Sequence, residues 1–402
     1  MSDVLDLCRK FELFLPNVEL SLSEVIELDG CTKSLLNHFI KNPNTLNQRT
    51  LIKIQAIIDY MHEKINIGNW KDVKLYLRKT ITISSYLKLL IYWKDPNNPM
   101  DDLLKESYKI IDFGLVFGCP IENELQLLQK CAGLLNPYSS DYVSEISTNT
   151  IKLKHNEVNV EPNKCNTVPV DVMDCPSMES FYTNRILKEK PVVLINCMNN
   201  WPALTKWNDQ NYFLKMAGLR TVAVELGSKY TDSDWTQKLM TVEEFIKDHI
   251  YQSNGPKGYL AQYQLFDQIP ELKADIIEPE YCCFAETENP IDVMAWYGPK
   301  GTVSPLHHDP KKNLLSQVVG EKQIYLFPPS DSKYLYPHDH ELLSNTAKVD
   351  PREPNYEIYP EYRHAKAYYC KLKPGQMLFI PPKWWHFVES LSISFSVSFW
   401  WD

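Results

Sequence analysis

SPLHHDP (304–310), followed by KQIYLF (322–327) and closed by PPKWWHFVES (381–390), carries the reading of this chain. If 304–310 is extended, side-chain alternation puts His307 and Asp309 on one face and His308 on the other, so an imidazole nitrogen and a carboxylate oxygen converge on one point. A third ligand has to come from another strand, and His386, 77 residues after Asp309, ends a strand-like run. Two histidines and one carboxylate on one side of an iron ion leave the opposite coordination positions open, which is the arrangement of non-haem Fe(II) oxygenases. Alone, an H-x-D triplet is equally well a surface turn. The surrounding residues have to decide.

Lys322 lies 15 residues after His307 and, on a strand, shares its face with Ile324 and Leu326. Its ammonium would then point among apolar side chains, where burial is unfavourable unless an anion meets it. The competing reading is a strand-end lysine that snorkels to water. In SISFSVSFWW (392–401), Ser394, Ser396, Ser398 and Trp400 share one face while Phe395, Val397, Phe399 and Trp401 share the other. Serines on the inner face of a barrel leave room for a small ligand, whereas serines on the outer face would meet solvent.

Around these words the period is that of strands: PVVLI (191–195), TVAVEL (221–226), IDVMAWYG (291–298), LLSQVVG (314–320) and GQMLFIPP (375–382). Helices are few here; the clearest, Thr241 to Ile250, opens on a capping box of Thr241 and Glu244. Many short strands with Pro- and Gly-rich turns predict a closed double-sheet β architecture. Residues 1–135 instead repeat apolar positions at helical spacing, as in Leu51, Ile54, Ile57, Ile58 and Met61, and predict a helical bundle. The polar stretch 136–167 predicts a linker, and 168–402 the second domain. The fold class is therefore α+β, an all-helical N-terminal domain before a β barrel.

The chain has 402 residues, 42 Lys plus Arg against 51 Asp plus Glu, and a net charge of -9. No block of five or six basic residues interrupts it, so the footprint of a dedicated nucleic-acid binder is absent. No apolar run approaches the roughly 20 residues of a membrane span, and the acidic first thirty residues do not resemble a signal peptide. Ten cysteines without a C-x-x-C pair fit reduced thiols. A nuclear or cytoplasmic location follows, with the oligomeric state left open.

Four stretches go further: GYLAQYQLFDQIPEL (258–272), AWYGPKGTVSPLHHDPKKNLLSQVVGEKQIYLFPP (295–329), LYPHDHELLSNTAKVD (335–350) and LKPGQMLFIPPKWWHFVESLSISFSVSFWW (372–401). Through them residues 168–402 resemble the JmjC family of Fe(II)- and 2-oxoglutarate-dependent oxygenases. The resemblance implies a double-stranded β-helix (cupin or jelly-roll barrel) with Fe(II), 2-oxoglutarate and O2 as cofactors. It implies His307, Asp309 and His386 as iron ligands and as the catalytic centre. It also implies Lys322 as the partner of the cofactor's distal carboxylate, with Tyr259, Ser304, Asn313, Trp400 and Trp296 lining the 2-oxoglutarate pocket. The middle residue of the motif, His308, departs from the relatives without touching a ligand. ELGSKYTDSDW (225–235) resembles a substrate-binding segment; there Glu225 and Trp235, with Gln262, are candidates to meet a basic side chain of a protein substrate by hydrogen bonding and cation–π stacking.

Arginine hydroxylation is the first expectation, because the resemblance is strongest to a branch described as arginyl hydroxylase. A demethylase of N-methyl-lysine in histones, running the same iron chemistry, is the alternative. A non-catalytic cupin-like binding or scaffold protein is the alternative of another class, and the intact His307, Asp309, His386 and Lys322 argue against it. The small cluster His338, Asp339, His340 reads as a solvated loop, since it offers no third ligand at strand spacing, and no hydrolase or phosphate-loop signature is present.

Overall fold

The computed structural model describes residues 2–25, 27–68, 72–95, 99–139, 167–227, 235–251, 255–339 and 343–402. Most of the expected linker, together with Cys165 and His340, lies outside the described residues.

Two compact units are present. The first is helical. Its helix Gln48–Ile65 starts where Asn47 accepts from the N–H groups of Arg49 and Thr50, while the Thr50 hydroxyl accepts from the Asn47 N–H. This reciprocal cap occupies donors that the first turn leaves without helical partners. Ile54, Ile57, Ile58 and Met61, spaced three and four apart, are buried on one face of that helix. Leu75–Trp93 is buried on nearly every side and forms the centre of the unit. The last helix, Leu127–Ser139, runs past residue 135. The same unit includes Leu214–Thr221, held by a fork from Arg220 onto Asp112, with Nη2 to Oδ1 at 2.6 Å and Nε to Oδ1 at 3.0 Å and both residues buried. A segment arriving from so far along the chain has no local pattern to announce it.

The second unit is a β sandwich. Asp292–Gly298, Lys312–Val319, Met377–Ile380 and Ser394–Trp401 belong to a nine-stranded sheet, and Val303–His307, Lys322–Phe327, Ala367–Leu372 and Trp385–Ser390 to a five-stranded one. Apart from the long excursion between 327 and 367, consecutive strands of this set alternate between the sheets. That is the closed double-sheet architecture expected from the period-two runs, and the double-stranded β-helix that the resemblance implied, following an N-terminal helical region. Ile324 and Leu326 pack between the sheets with Leu315, Leu378, Ile380 and Val388. Tyr325, Phe327 and Phe387 pack on the outside of the smaller sheet, under the 335–365 excursion. Phe395, on the far face of the last strand, stacks on Tyr297 at 4.9 Å and on Phe213 at 5.3 Å.

Two local expectations change. Trp385–Ser390 is a strand of its own rather than the tail of 375–382. The turn between them places Lys383 at φ 62°, a left-handed conformation that breaks the run. The 241–250 helix keeps its box, with Glu244 N–H donating to Thr241 Oγ1 at 3.1 Å, but after Val242–Phe245 it widens into π-type turns over Ile246–Tyr251.

Candidate metal and cofactor site

His307 is the last residue of Val303–His307, an outer strand of the five-stranded sheet, and pairs directly with His386 on Trp385–Ser390. Asp309 lies two residues beyond the strand end. One ligand atom from each of the three lies within 4.8 Å of the others. Asp309 Oδ2 is 3.6 Å from His386 Nε2 and 4.0 Å from His307 Nε2. Both rings are fixed from behind: the Nδ1 of His307 is 2.7 Å from the Pro305 carbonyl, and the Nδ1 of His386 is 3.0 Å from the Trp384 carbonyl. A ring nitrogen that donates to a carbonyl leaves Nε2 as the lone-pair donor, so both histidines present their ligating face to Asp309. Burial, and then the neighbouring His307, push the His386 imidazole well below its usual value, which favours the neutral, ligating form. Asp309 Oδ2 is buried without a hydrogen-bond partner. Two nitrogens and one carboxylate converging on an unfilled oxygen fit a divalent transition metal. His308 turns away and meets the ring of Trp385 edge-on at 4.6 Å.

The triad opens into a cavity between the sheets. The nine residues singled out for metal and cofactor line it together: His307, Asp309 and His386 with Tyr259, Trp296, Ser304, Asn313, Lys322 and Trp400. Lys322 is 1% exposed, and its Nζ has the Tyr259 hydroxyl at 3.3 Å as hydrogen-bond partner. Burial alone pushes this lysine down to about 7. Asn313 Oδ1 and Trp400 Nε1 are buried with no partner among the described residues. A buried ammonium beside orphaned polar atoms, in a space with apolar walls of Leu315, Ile380 and Val388, fits a small anion that also carries hydrogen-bonding groups. The sequence reading left out Ser398 as a contact: its hydroxyl accepts from Trp296 Nε1 at 2.9 Å and fixes that indole in the wall.

A family profile described as a cupin-like domain matches residues 178–402. Over 87% of the chain, and 87% of the relative, it is 42% identical to a Danio rerio protein named lysine-specific demethylase 8. It is 39% identical to Jumonji C domain-containing protein 5 of Drosophila melanogaster, over 87% of the chain and 86% of that protein. It is 41% identical to lysine-specific demethylase JMJ30 of Arabidopsis thaliana, over 87% and 85%. The chain belongs to the JmjC family of 2-oxoglutarate-dependent dioxygenases. Family membership implies iron and 2-oxoglutarate, and a JmjC enzyme needs a metal triad and an anion anchor in one barrel.

The candidate substrate residues of this JmjC chain lie outside the cavity's lining. Glu225 faces Tyr259 across the strand pair, and its charge raises the Tyr259 phenol further above an ordinary tyrosine after burial has done so. Trp235 Nε1 donates to Glu225 Oε2 at 3.2 Å, and burial raises the Glu225 carboxyl against that hydrogen bond. Gln262 is exposed at φ 47° in an irregularity between Leu260 and Tyr263, and it does not line the cavity. Residues 228–234 of the expected substrate segment lie outside the described residues. Asp339 pairs with Lys348 on the surface, and among the described residues the His307, Asp309, His386 group alone has metal-site geometry. Among the described residues the cysteines are free and no helix is long and apolar enough to cross a membrane.

Proposed function

We propose that the cavity holds one Fe(II) on His307, Asp309 and His386 and one 2-oxoglutarate on Lys322, and that it oxidises a cationic side chain of a protein substrate in the nucleus or cytoplasm. The observation that carries this is the combination in one cavity of a three-ligand cluster and a buried lysine that no carboxylate neutralises among the described residues. When bound, iron and cofactor supply the oxidation: 2-oxoglutarate and dioxygen become succinate and carbon dioxide, and one oxygen atom enters a C–H bond of the substrate.

The chain's own residues bind and orient. Lys322 would take the distal carboxylate as a charge-assisted hydrogen bond, and Tyr259 holds the ammonium in place from the side. Asn313 and Trp400 offer the cofactor polar atoms that now lack partners. Leu315, Ile380 and Val388 exclude water from the space between.

Two cationic side chains are candidate substrates. The names of the relatives favour N-methyl-lysine over arginine as first reading, with hydroxylation of a methyl carbon followed by loss of formaldehyde. Arginine hydroxylation stays as the second, favoured by Glu225, a half-buried carboxylate next to Tyr259 whose form matches a guanidinium fork. Mass spectrometry on matched peptides, with iron and 2-oxoglutarate, separates them. Loss of one methylene mass from methyl-lysine with formaldehyde release supports the first. Gain of one oxygen mass on unmodified arginine supports the second. Succinate formation with neither peptide altered would count against both.

A further inference from the structure

Of the two ligands closest in sequence, His307 ends an outer strand and Asp309 lies two residues beyond it. Val303–His307 comes last in the five-stranded order, so beyond His386's strand no further strand of that sheet holds it. Part of the 327–367 excursion lies along this side instead. The Ala347 N–H donates to the Leu306 carbonyl at 2.7 Å, and His307 forms a bridge with Thr346. The same short segment is braced from behind, where the His338 N–H donates to the Thr346 carbonyl at 2.9 Å and Lys348 N–H to the Tyr336 carbonyl at 2.9 Å. Asp309 is held by its carbonyl, which accepts from the Lys383 N–H at 2.7 Å.

Between the two ligands stands His308, and its main chain is gripped at both ends by one residue. The His308 N–H donates to the Asn345 carbonyl at 3.0 Å, and Asn345 Nδ2 donates to the His308 carbonyl at 3.1 Å. Among the described residues the His308 Nδ1 is buried without a partner, and its ring rests on Trp385. Rotation of either peptide flanking His308 would swing His307 and Asp309 apart. Among the described contacts behind the ligands, the groups are backbone atoms of Pro305, Trp384, Lys383 and Asn345, which no ordinary substitution removes. The Asn345 amide is the exception.

We infer that Asn345 is a positioning residue for the metal: its carboxamide fixes the peptide plane between His307 and Asp309 and so sets the spacing of two of the three ligands. The inference rests on the triad reading above. Asn345 touches neither metal nor substrate, and it acts through the His308 carbonyl. Partners that hydrogen-bond a ligand directly are worth about ten- to a hundredfold in metal affinity, and Asn345, acting one residue away, should fall at the lower end of that range.

The test titrates the metal-free full chain with Mn(II), followed by electron paramagnetic resonance, and records the Co(II) absorption spectrum at saturating metal. Asn345→Ala should weaken Mn(II) binding by about tenfold or more. Asn345→Asp should do at least as much, because a carboxylate oxygen then faces the His308 carbonyl oxygen. Both should shift the Co(II) bands even when the site is full, which a loss of folded protein alone would not do. Wild-type affinity together with a wild-type Co(II) spectrum in Asn345→Ala overturns the inference. His307→Ala separates the two levels: if it binds Mn(II) as the wild type does, the triad reading itself fails, whereas strong weakening there with none in Asn345→Ala removes only the role of Asn345.

Discussion

Two stretches of the same strand pair, Lys312–Val319 and Ser394–Trp401, carry polar side chains into the sandwich and treat them in opposite ways. At one end Gln317, Ser394 and Ser396 are all but inaccessible and satisfy one another. Gln317 Nε2 donates to the Val319 carbonyl at 2.7 Å, the Gly320 carbonyl at 3.0 Å and Ser394 Oγ at 3.0 Å, while Gln317 Oε1 accepts from Ser396 at 2.7 Å. At the other end Asn313 pairs with Trp400 in register, yet among the described residues Asn313 Oδ1 and Trp400 Nε1 have no partner and Lys322 in the facing sheet has no counter-charge. A closed network rigidifies a core. An open one, kept at the expense of stability, implies a ligand that completes it.

The largest expected effect breaks the open end completely. His307→Ala or Asp309→Ala should reduce turnover to background while the melting temperature changes little, since both side chains lie at the cavity's edge and leave no large core void. Iron content and succinate measured on the same sample check this; iron retained with near wild-type turnover would remove the triad from the reaction.

The two ends should then respond to apolar substitution with opposite signs. Gln317→Leu leaves the Ser394 and Ser396 hydroxyls and two carbonyls buried without their donor or acceptor, and should lower the unfolding free energy by about 2–4 kcal/mol. Lys322→Met should raise it by about 2–4 kcal/mol. The sign follows from linkage. The unfolded lysine keeps its proton up to about pH 10.4, whereas the folded one loses it near 7. The penalty of holding Lys322 is therefore fully present below pH about 7 and fades as pH rises towards about 10.4. Chemical denaturation of both variants decides the matter, and a Lys322→Met variant as unstable as Gln317→Leu would erase the distinction between the ends.

Much of this contrast was legible in the sequence, and the limits have physical causes. Lys322 could be placed because alternation on its strand is periodic, whereas the H-x-D pair was read on an extended segment whose strand ends at His307, with Asp309 two residues beyond it. The recurrence of serines on one face of the last strand was read as room for a ligand, and only part of it is: Ser398 lines the cavity, but the space beside Ser394 and Ser396 is filled by Gln317, a residue of another strand that no pattern within 392–401 reveals. The strand of His386 was missed because its turn is made by a left-handed Lys383 rather than by glycine. Asn345 carries no periodic signal at all, since an irregular segment exerts its effect through one amide.

A smaller effect tests the charge of the open end. If Lys322 takes the distal carboxylate as an ammonium, 2-oxoglutarate affinity should be level below pH about 7 and fall by up to about tenfold for each pH unit above it, as binding then requires proton uptake. Fluorescence or calorimetric titrations across that range measure it, and a flat profile would separate the lysine's charge from binding. Smaller still, Glu225→Gln should weaken use of a cationic peptide by about fivefold, roughly 1 kcal/mol, while cofactor turnover without peptide is unchanged. Equal loss in both assays would place Glu225 in support of Tyr259 instead.

The most direct test of the central claim is calorimetric titration of 2-oxoglutarate into Mn(II)-loaded protein, wild type against Lys322→Ala. The open network should close on one equivalent of cofactor in the wild type. The alanine variant should lose a charge-assisted contact of roughly 1.5–3 kcal/mol, about ten- to a hundredfold in affinity, with Lys322→Arg restoring only part because its planar fork must enter a space shaped around a point charge. Equal affinity in the wild type and Lys322→Ala, or no binding to the wild type, would contradict it.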